Sequence, residues 1–354
     1  MLVQRLANIL AFERRCIRSS GVVPHMPIKE HGIGCPGYPR ERISSGSGAL
    51  VRRTLHRRLS PLILAACFLL ACSPRSYVVS RMADAASSGG DVFARDDDPE
   101  LVRDAVPFAL KAMESLLASS PDHKGLLTAL CKGFTQYAVA FVREDAEESG
   151  DPAARRAGVE RARRLFLRAK EYGMRGLSVG RDGFSAALSG DPVGASARVG
   201  AEDVPLLYWT GAAWSLAVST SPDDPSLLAD LPRIEALMRR ALALDERYDA
   251  GAIHEYFVAF EGGRPEAMGG SIERARHHME RAMALSAGKK ISPQVTFAET
   301  VSVRTQDRKG FLDLLDRALA FDARSAAPEY RMGNLVSQRR ARWLKGRVDE
   351  LFLD

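Results

Sequence analysis

Residues 206 to 216 read Leu206-Leu-Tyr-Trp-Thr-Gly-Ala-Ala-Trp-Ser-Leu216, apolar around the whole circumference of a helix rather than along one stripe. Such a helix is buried on all sides, so other helices must surround it, and this segment is expected at the centre of its domain. Outward from it, helical periodicity recurs over roughly 99–118, 122–148, 152–173, 203–219, 231–245, 249–261, 270–286, 292–303, 308–321 and 327–352. Breaks fall at Pro121, Gly150-Asp-Pro152, Ser221-Pro222, Gly262-Gly263 and Pro328. Alanine, leucine, arginine and glutamate dominate after residue 98, and period-two runs of Val, Ile and Thr are almost absent, which argues against a substantial sheet.

Helices joined by short loops stack as hairpins, and an internal repeat sharpens that expectation. The second helix of a TPR hairpin carries a small residue, a bulky apolar one four later and a small one three later. The pattern occurs at Ala109, Met113, Leu116 and at Ala162, Phe166, Ala169. Looser copies are Ile234, Met238, Ala241; Ala275, Met279, Ala282; and Phe311, Leu315, Ala318. Their spacings of 53, 72, 41 and 36 residues are irregular, so a plain helical bundle is the competing reading. The predicted fold is all-α, an irregular TPR-like stack of antiparallel hairpins over 98–354, entered at Asp98-Pro99-Glu100, an N-cap followed by proline. The Gly- and Asp-rich stretch from Gly176 to Ala201 reads as a decorating loop.

Ahead of the domain, Arg52-Arg-Thr-Leu-His-Arg-Arg58 precedes an apolar run from Leu59 to Ala71 that ends in Leu69-Leu-Ala-Cys72. A cationic segment, a short apolar segment and cysteine after a small residue form a lipoprotein signal at 51–71, with Cys72 acylated and leading the mature chain. The apolar run falls short of the roughly 20 residues that span a bilayer. Ser73, rather than Asp, follows the cysteine, which by convention points to the outer membrane. Residues 1–50 are then a leader from a start assigned too early, initiation near Leu50 or Val51 giving a signal of ordinary length. Residues 72–97 read as a flexible tether. Cys16, Cys35 and Cys67 drop out on maturation, and Cys131, alone in an apolar helix, reads as a buried residue rather than a reactive thiol.

The net charge of +6 is misleading, because residues 1–72 contribute +8 and leave about −2 for the rest. A nearly neutral mature chain lacks the footprint of nucleic-acid binding. No Gly-x-Ser-x-Gly elbow, His-Glu-x-x-His, Walker loop or dinucleotide fingerprint occurs, so no enzyme, cofactor or metal is expected. His277 and His278 are adjacent and point about 100° apart on a helix, unlike a chelating i, i+4 pair.

Several motifs in order resemble one family. They are Asp96-Asp-Asp-Pro-Glu-Leu-Val-Arg-Asp-Ala-Val-Pro-Phe-Ala-Leu-Lys-Ala-Met-Glu-Ser-Leu-Leu117, Tyr137-Ala-Val-Ala-Phe141, Leu207-Tyr-Trp209 with Ala212-Ala-Trp214, Gly251-Ala-Ile-His-Glu255, Gln306-Asp-Arg308, and Asn334 to Gln338 with Ala341 to Leu344. Together, over 72–354, they resemble the TRAP-transporter-associated TPR proteins, the T component of tripartite ATP-independent periplasmic transporters. The resemblance implies a periplasmic lipoprotein with a TPR-like fold that assembles as trimers and associates with a substrate-binding protein. It also implies a channel in each protomer accepting small hydrophobic or carboxylate-bearing ligands.

Six residues are candidates to line a ligand site. Tyr208, Trp209 and Trp214 carry polar handles on large apolar bodies, and either line a pocket or pack in the core. His254 either orients an anionic ligand or is satisfied by a core neighbour. Asn334 and Gln338 share a helix face and either bind a ligand or satisfy backbone groups of the preceding hairpin. Two functions remain: a lipid-anchored transport accessory that binds or channels a small ligand and docks a substrate-binding protein, or a TPR-like envelope scaffold with protein partners only. A polar-lined internal cavity favours the first and a filled core with one broad groove the second.

Overall fold

The computed structural model describes residues 81–85, 90–221 and 224–353, and among them every regular element is helical. Cys72, the signal at 51–71, the leader at 1–50 and the cysteines at 16, 35 and 67 lie outside the described residues. Helix α1 (Gly90–Arg95) leads into α2 (Pro99–Ser119), α3 (Lys124–Glu148) and α4 (Pro152–Ser178). Two short helices follow, α5 (Phe184–Gly190) and α6 (Pro192–Ala197), then α7 (Val204–Ser219) and α8 (Leu231–Leu244). The rest comprises α9 (Ala252–Gly262), α10 (Ile272–Leu285), α11 (Ser292–Phe297), α12 (Arg308–Ala320) and α13 (Arg331–Lys345).

Local chemistry sets these boundaries. The Asp98 side chain accepts hydrogen bonds from the Glu100 and Leu101 amides at the start of α2, and Asp151 accepts from Ala153 N at the start of α4, with proline next in each case. Each cap satisfies helix-end donors and is worth about 1 kcal/mol. Sequential hairpins then pack side by side: α3 lies against α2, α4 and α7, α7 against α4 and α8, α9 against α10 and α11, and α12 against α13. Among the described residues α3 alone would pass for a membrane span by length and apolarity, yet Leu126, Leu127, Leu130 and Cys131 are fully buried in this stack.

The small–large–small triplets are buried on the second helices of the hairpins. Ala162, Phe166 and Ala169 on α4, Ile234, Met238 and Ala241 on α8, and Phe311, Leu315 and Ala318 on α12 have no exposed surface. On α10 Ala275 and Ala282 are buried with Met279 partly so, whereas Ala109, Met113 and Leu116 on α2 are only half-buried. Small residues also allow close crossings. A Cβ on Gly173 of α4 would come within 2.1 Å of Thr210 Oγ1 and 3.0 Å of Cys131 Sγ.

Three features depart from the sequence reading. The stretch Gly176–Ala201 is not a decorating loop: α4 runs on to Ser178, and α5, α6 and the turn after them bury Phe184, Leu188, Ala195 and Val199 in the core under α7 and α8. Within the stretch read as a tether, 81–85 are helical with Ala83 buried, and Phe93 on α1 packs beside Val102, Phe141 and Met332. The helix read over 327–352 is interrupted: α13 stops at Lys345, just before Gly346, and the chain turns helical again only over Val348–Leu351.

The last helix also meets the first hairpin. Helix α13 packs against α1 and α2, and Arg339 and Arg340 reach Asp145, Glu144, Glu147 and Glu148 at the end of α3. Arg340 additionally pairs with Glu299. Two π-helical segments present these partners: Ala138–Arg143 within α3, immediately before Glu144, and Ala298–Ser302 after α11, which contains Glu299. Helix α13 is thus held to the end of α3 by Arg340, shared by three glutamates, and by Arg339 on Asp145 and Glu148.

Candidate functional site

Helix α7 is the central helix that the sequence reading expects, but one stripe of it reaches water. Pro205, Tyr208 and Ser215 are half-buried and Ser219 is exposed, while Leu206, Leu207, Thr210, Ala213, Trp214 and Ala217 are buried. Positions 205, 208, 215 and 219 share one face at helical spacing, with Ala212 buried between them. Opposite it lies the corresponding stripe of α9, where Glu255 and Tyr256 are half-buried and Ala259 is exposed. The hydroxyls of Ser215 and Tyr256 are 3.0 Å apart across the gap. Polar side chains of two neighbouring helices therefore line one water-accessible recess within the stack.

The floor of the recess is aromatic. Tyr208 packs edge-on to Trp209 with centroids 4.9 Å apart and lies 5.4 Å from the ring of Tyr248, while Trp209 Nε1 donates to the Tyr248 hydroxyl at 3.0 Å. Tyr248 comes from the turn between α8 and α9, whose next three residues are all left-handed: Asp249 (φ 44°), Ala250 (φ 50°) and Gly251 (φ 89°). Asp tolerates that conformation and Gly adopts it freely, but Ala250 carries strain of order 1–3 kcal/mol. Gly251 is also required by space, since a Cβ there would sit 3.1 Å from Ala282 Cα and 3.2 Å from Leu285 Cβ. Backbone held against its preference beside a polar recess is a mark of a functional site.

Burial dominates the electrostatics. It pushes the Tyr208 hydroxyl well above its ordinary range, and the Glu255 and Asp249 carboxylates push it further. Tyr248 and Tyr256 are raised by the same desolvation. Glu255 is raised by burial too, drawn back by the Lys290 charge and by a hydrogen bond with Ser292. Three neutral phenols, an indole and one desolvated carboxyl thus converge from α7, the 248–251 turn and α9.

The six candidates divide. Tyr208 and Trp209 meet in the recess. Trp214 is on another face of α7, buried, with Nε1 donating to Asp230 Oδ2 at 2.9 Å and Lys170 Nζ 4.3 Å from its ring. His254 is buried against α10, its Nδ1 2.8 Å from His278 Nδ1 and its Nε2 3.6 Å from Glu246. Asn334 accepts from Ile291 N at 3.2 Å and donates to Lys289 O at 2.9 Å. Gln338 donates to the carbonyls of Ala318, Leu319 and Phe321, closing the C-terminal end of α12. Both amides take the second of the roles open to them, satisfying backbone of the preceding hairpin. Cys131 is buried, and desolvation raises its thiol to about 12, which keeps it protonated and inert.

Sequence reasoning missed Ser215, Tyr248, Tyr256 and Ser292. Tyr248 had no periodic signal because it sits on a turn, although the succession Asp-Ala-Gly after it was a turn signature. No group of three or more His, Cys, Asp or Glu suited to a metal occurs among the described residues. A separate cavity of about 320 Å³ opens between α2, the end of α3 and the start of α4, lined by Arg103, Tyr137, Phe141, Asp145 and Arg161 among others.

A family model described as TRAP transporter T-component matches residues 95–352. A protein of Treponema pallidum (strain Nichols), described only as an uncharacterized protein, is 32% identical over 269 residues, covering 74% of this chain and 83% of the relative. The match runs from the end of α1 through α13, and the chain belongs to the TRAP transporter T-component family.

Proposed function

We propose that this protein is a lipid-anchored periplasmic accessory of a TRAP-type uptake system, holding or passing a small ligand in the α7–α9 recess and docking a substrate-binding protein. The observation that carries the ligand reading is the water-accessible polar stripe on α7, a helix otherwise buried on all sides. A purely structural stack gains nothing by keeping Tyr208, Ser215, Glu255 and Tyr256 half-open in its middle, where burying a hydroxyl or carboxyl costs energy. A scaffold without a ligand would fill that space with aliphatic side chains, as the interface of α4 with α3 does around Phe166.

The domain division belongs to the same proposal. Residues 1–71 are absent from the mature protein, Cys72 carries the acyl chains, and the folded body sits outside the cytoplasm, attached to the outer membrane and assembled as a trimer. The experiment is isolation of wild type and Cys72→Ala from the envelope, followed by intact and native mass spectrometry. The expected result is an acylated N-terminus at Cys72, a membrane-released Cys72→Ala protein, co-isolation of a substrate-binding component, and a small organic adduct that Tyr208→Ala loses. A chain that keeps residues 1–71 unmodified overturns the localisation. A chain that carries no adduct in any preparation overturns the ligand reading.

A further inference from the structure

We propose that the recess takes a small organic cation, an alkylammonium or quaternary ammonium group, with Glu255 as its counter-charge and the rings of Tyr208, Tyr248 and Tyr256 as its walls. This rests on reading the recess as a ligand site and adds the chemical class of the ligand.

Neighbouring acids are matched by cations: Glu246 with Arg281 at 2.5 Å, Glu261 with Arg274 at 2.7 Å, and Asp249 with Lys290 at 3.3 Å. Glu255 forms no ion pair among the described residues, although it lies deeper than Glu246 or Asp249. Lys290, the cation with most influence on it, is committed elsewhere, since its Nζ donates to Asp249 O at 2.6 Å and faces the Tyr330 ring at 5.0 Å. Glu255 has the Ser292 hydroxyl as its hydrogen-bonding partner. A desolvated carboxylate with a single hydroxyl partner is costly unless a cation is delivered to it.

The walls suit the same guest. Tyrosine and tryptophan faces carry negative charge density, and a cation within about 6 Å of a ring centroid is held by about 0.5–2 kcal/mol per contact when desolvated. Here Tyr208 on α7 lies 5.4 Å from Tyr248 on the strained turn, and Tyr256 on α9, next to Glu255 in the chain, reaches the Ser215 hydroxyl of α7 at 3.0 Å. The Glu255 and Asp249 carboxylates are the charges that most influence the Tyr208 hydroxyl, while Arg264 and Arg239 act at Tyr256. A carboxylate ligand would face the unpaired Glu255.

The test is isothermal titration of the purified full mature chain with three probes of one shape: choline, its uncharged isostere 3,3-dimethyl-1-butanol, and the anion 3,3-dimethylbutyrate. Choline is expected to bind saturably and at least tenfold more tightly than the alcohol, with no binding of the anion. Glu255→Gln, which preserves size, is expected to reduce choline affinity at least tenfold while leaving the melting temperature within a few degrees. Equal affinity for choline and the alcohol overturns the cation assignment, as does tighter binding of the anion; in either case the recess remains a ligand site. Failure of all three probes on the wild-type chain also overturns it, and the native mass spectrum then decides separately whether any small ligand is bound.

Discussion

Replacing Arg340 by methionine removes the more deeply buried of the two arginines that tie α13 to the end of α3, leaving Arg339 on Asp145 and Glu148. The Arg340 side chain is 11% exposed and reaches Glu144 at 3.3 Å and Glu147 at 2.5 Å, with Glu299 as its third partner. Glu144 is itself 3% exposed. Burial holds its pKa above the ordinary range even with Arg340 present, and Arg340 is the largest influence opposing that. Deleting one partner of a buried ion pair strands the other and costs about 3–5 kcal/mol. For a domain of this size that corresponds to a fall in Tm of about 10 °C.

The pH dependence separates this account from a simple packing loss. In Arg340→Met the folded-state pKa of Glu144 rises further above its unfolded value. The folded state then binds more protons than the unfolded one at neutral pH, so the variant regains stability as the pH falls. The deficit relative to wild type is expected to shrink by about 1–2 kcal/mol between pH 7.5 and pH 5.5, at roughly 1.4 kcal/mol per unit of pKa. Thermal melts followed by circular dichroism at the two pH values measure it, and Arg340→Met with Glu144→Gln is expected to recover much of the loss at pH 7.5. A deficit below about 1 kcal/mol at pH 7.5, or one identical at both pH values, refutes the claim that this charge helps hold α13 to the end of α3.

Other elements make equally direct claims. His278 stacks on Phe257 at 5.0 Å and pairs with His254; burial, then the charges of His254, His277, Arg239 and Arg274, depress its pKa from 6.5 to about 4. The unfolded chain therefore binds more protons between pH 6.5 and 4, and stability falls as pH drops through that window, by about 2 kcal/mol once solvent screening of a half-buried group is allowed for. In His278→Gln that part of the slope is expected to vanish, and parallel curves for the two proteins would sink the assignment. Phe166→Ala empties a fully buried site between α4 and its neighbours and is expected to cost about 3–5 kcal/mol by chemical denaturation, against less than 1 kcal/mol if the site were loosely packed. Gln338→Leu strands the end carbonyls of α12 and is expected to cost about 1–3 kcal/mol while leaving choline titration unchanged; altered ligand affinity with unchanged stability would return Gln338 to the ligand site.

Most of the long helices, their caps, the all-α class and the central position of 204–219 were legible in the sequence, because these depend on contacts within four residues and on a periodicity written directly in the chain. Of the five triplets it located, three are buried throughout and a fourth at its two alanines, since a helix face is a local property. What lay beyond it is non-local. Arg340 and Glu144 are 196 residues apart, and they meet only because a π-helical turn changes the phase of α3 just before Glu144. His254 and His278 pair across two helices, a consequence of how α9 crosses α10 rather than of either sequence. The insertion at 176–201 looked like a loop because its Gly and Asp content dilutes the period, yet Phe184 and Leu188 alone were enough to bury it. Tyr248 and Glu255 reach Tyr208 because three successive left-handed residues turn the chain back between α8 and α9, and such a turn has no period to read. Crossing angles and helix phase, set by the packing of whole elements, decided which polar groups share the recess.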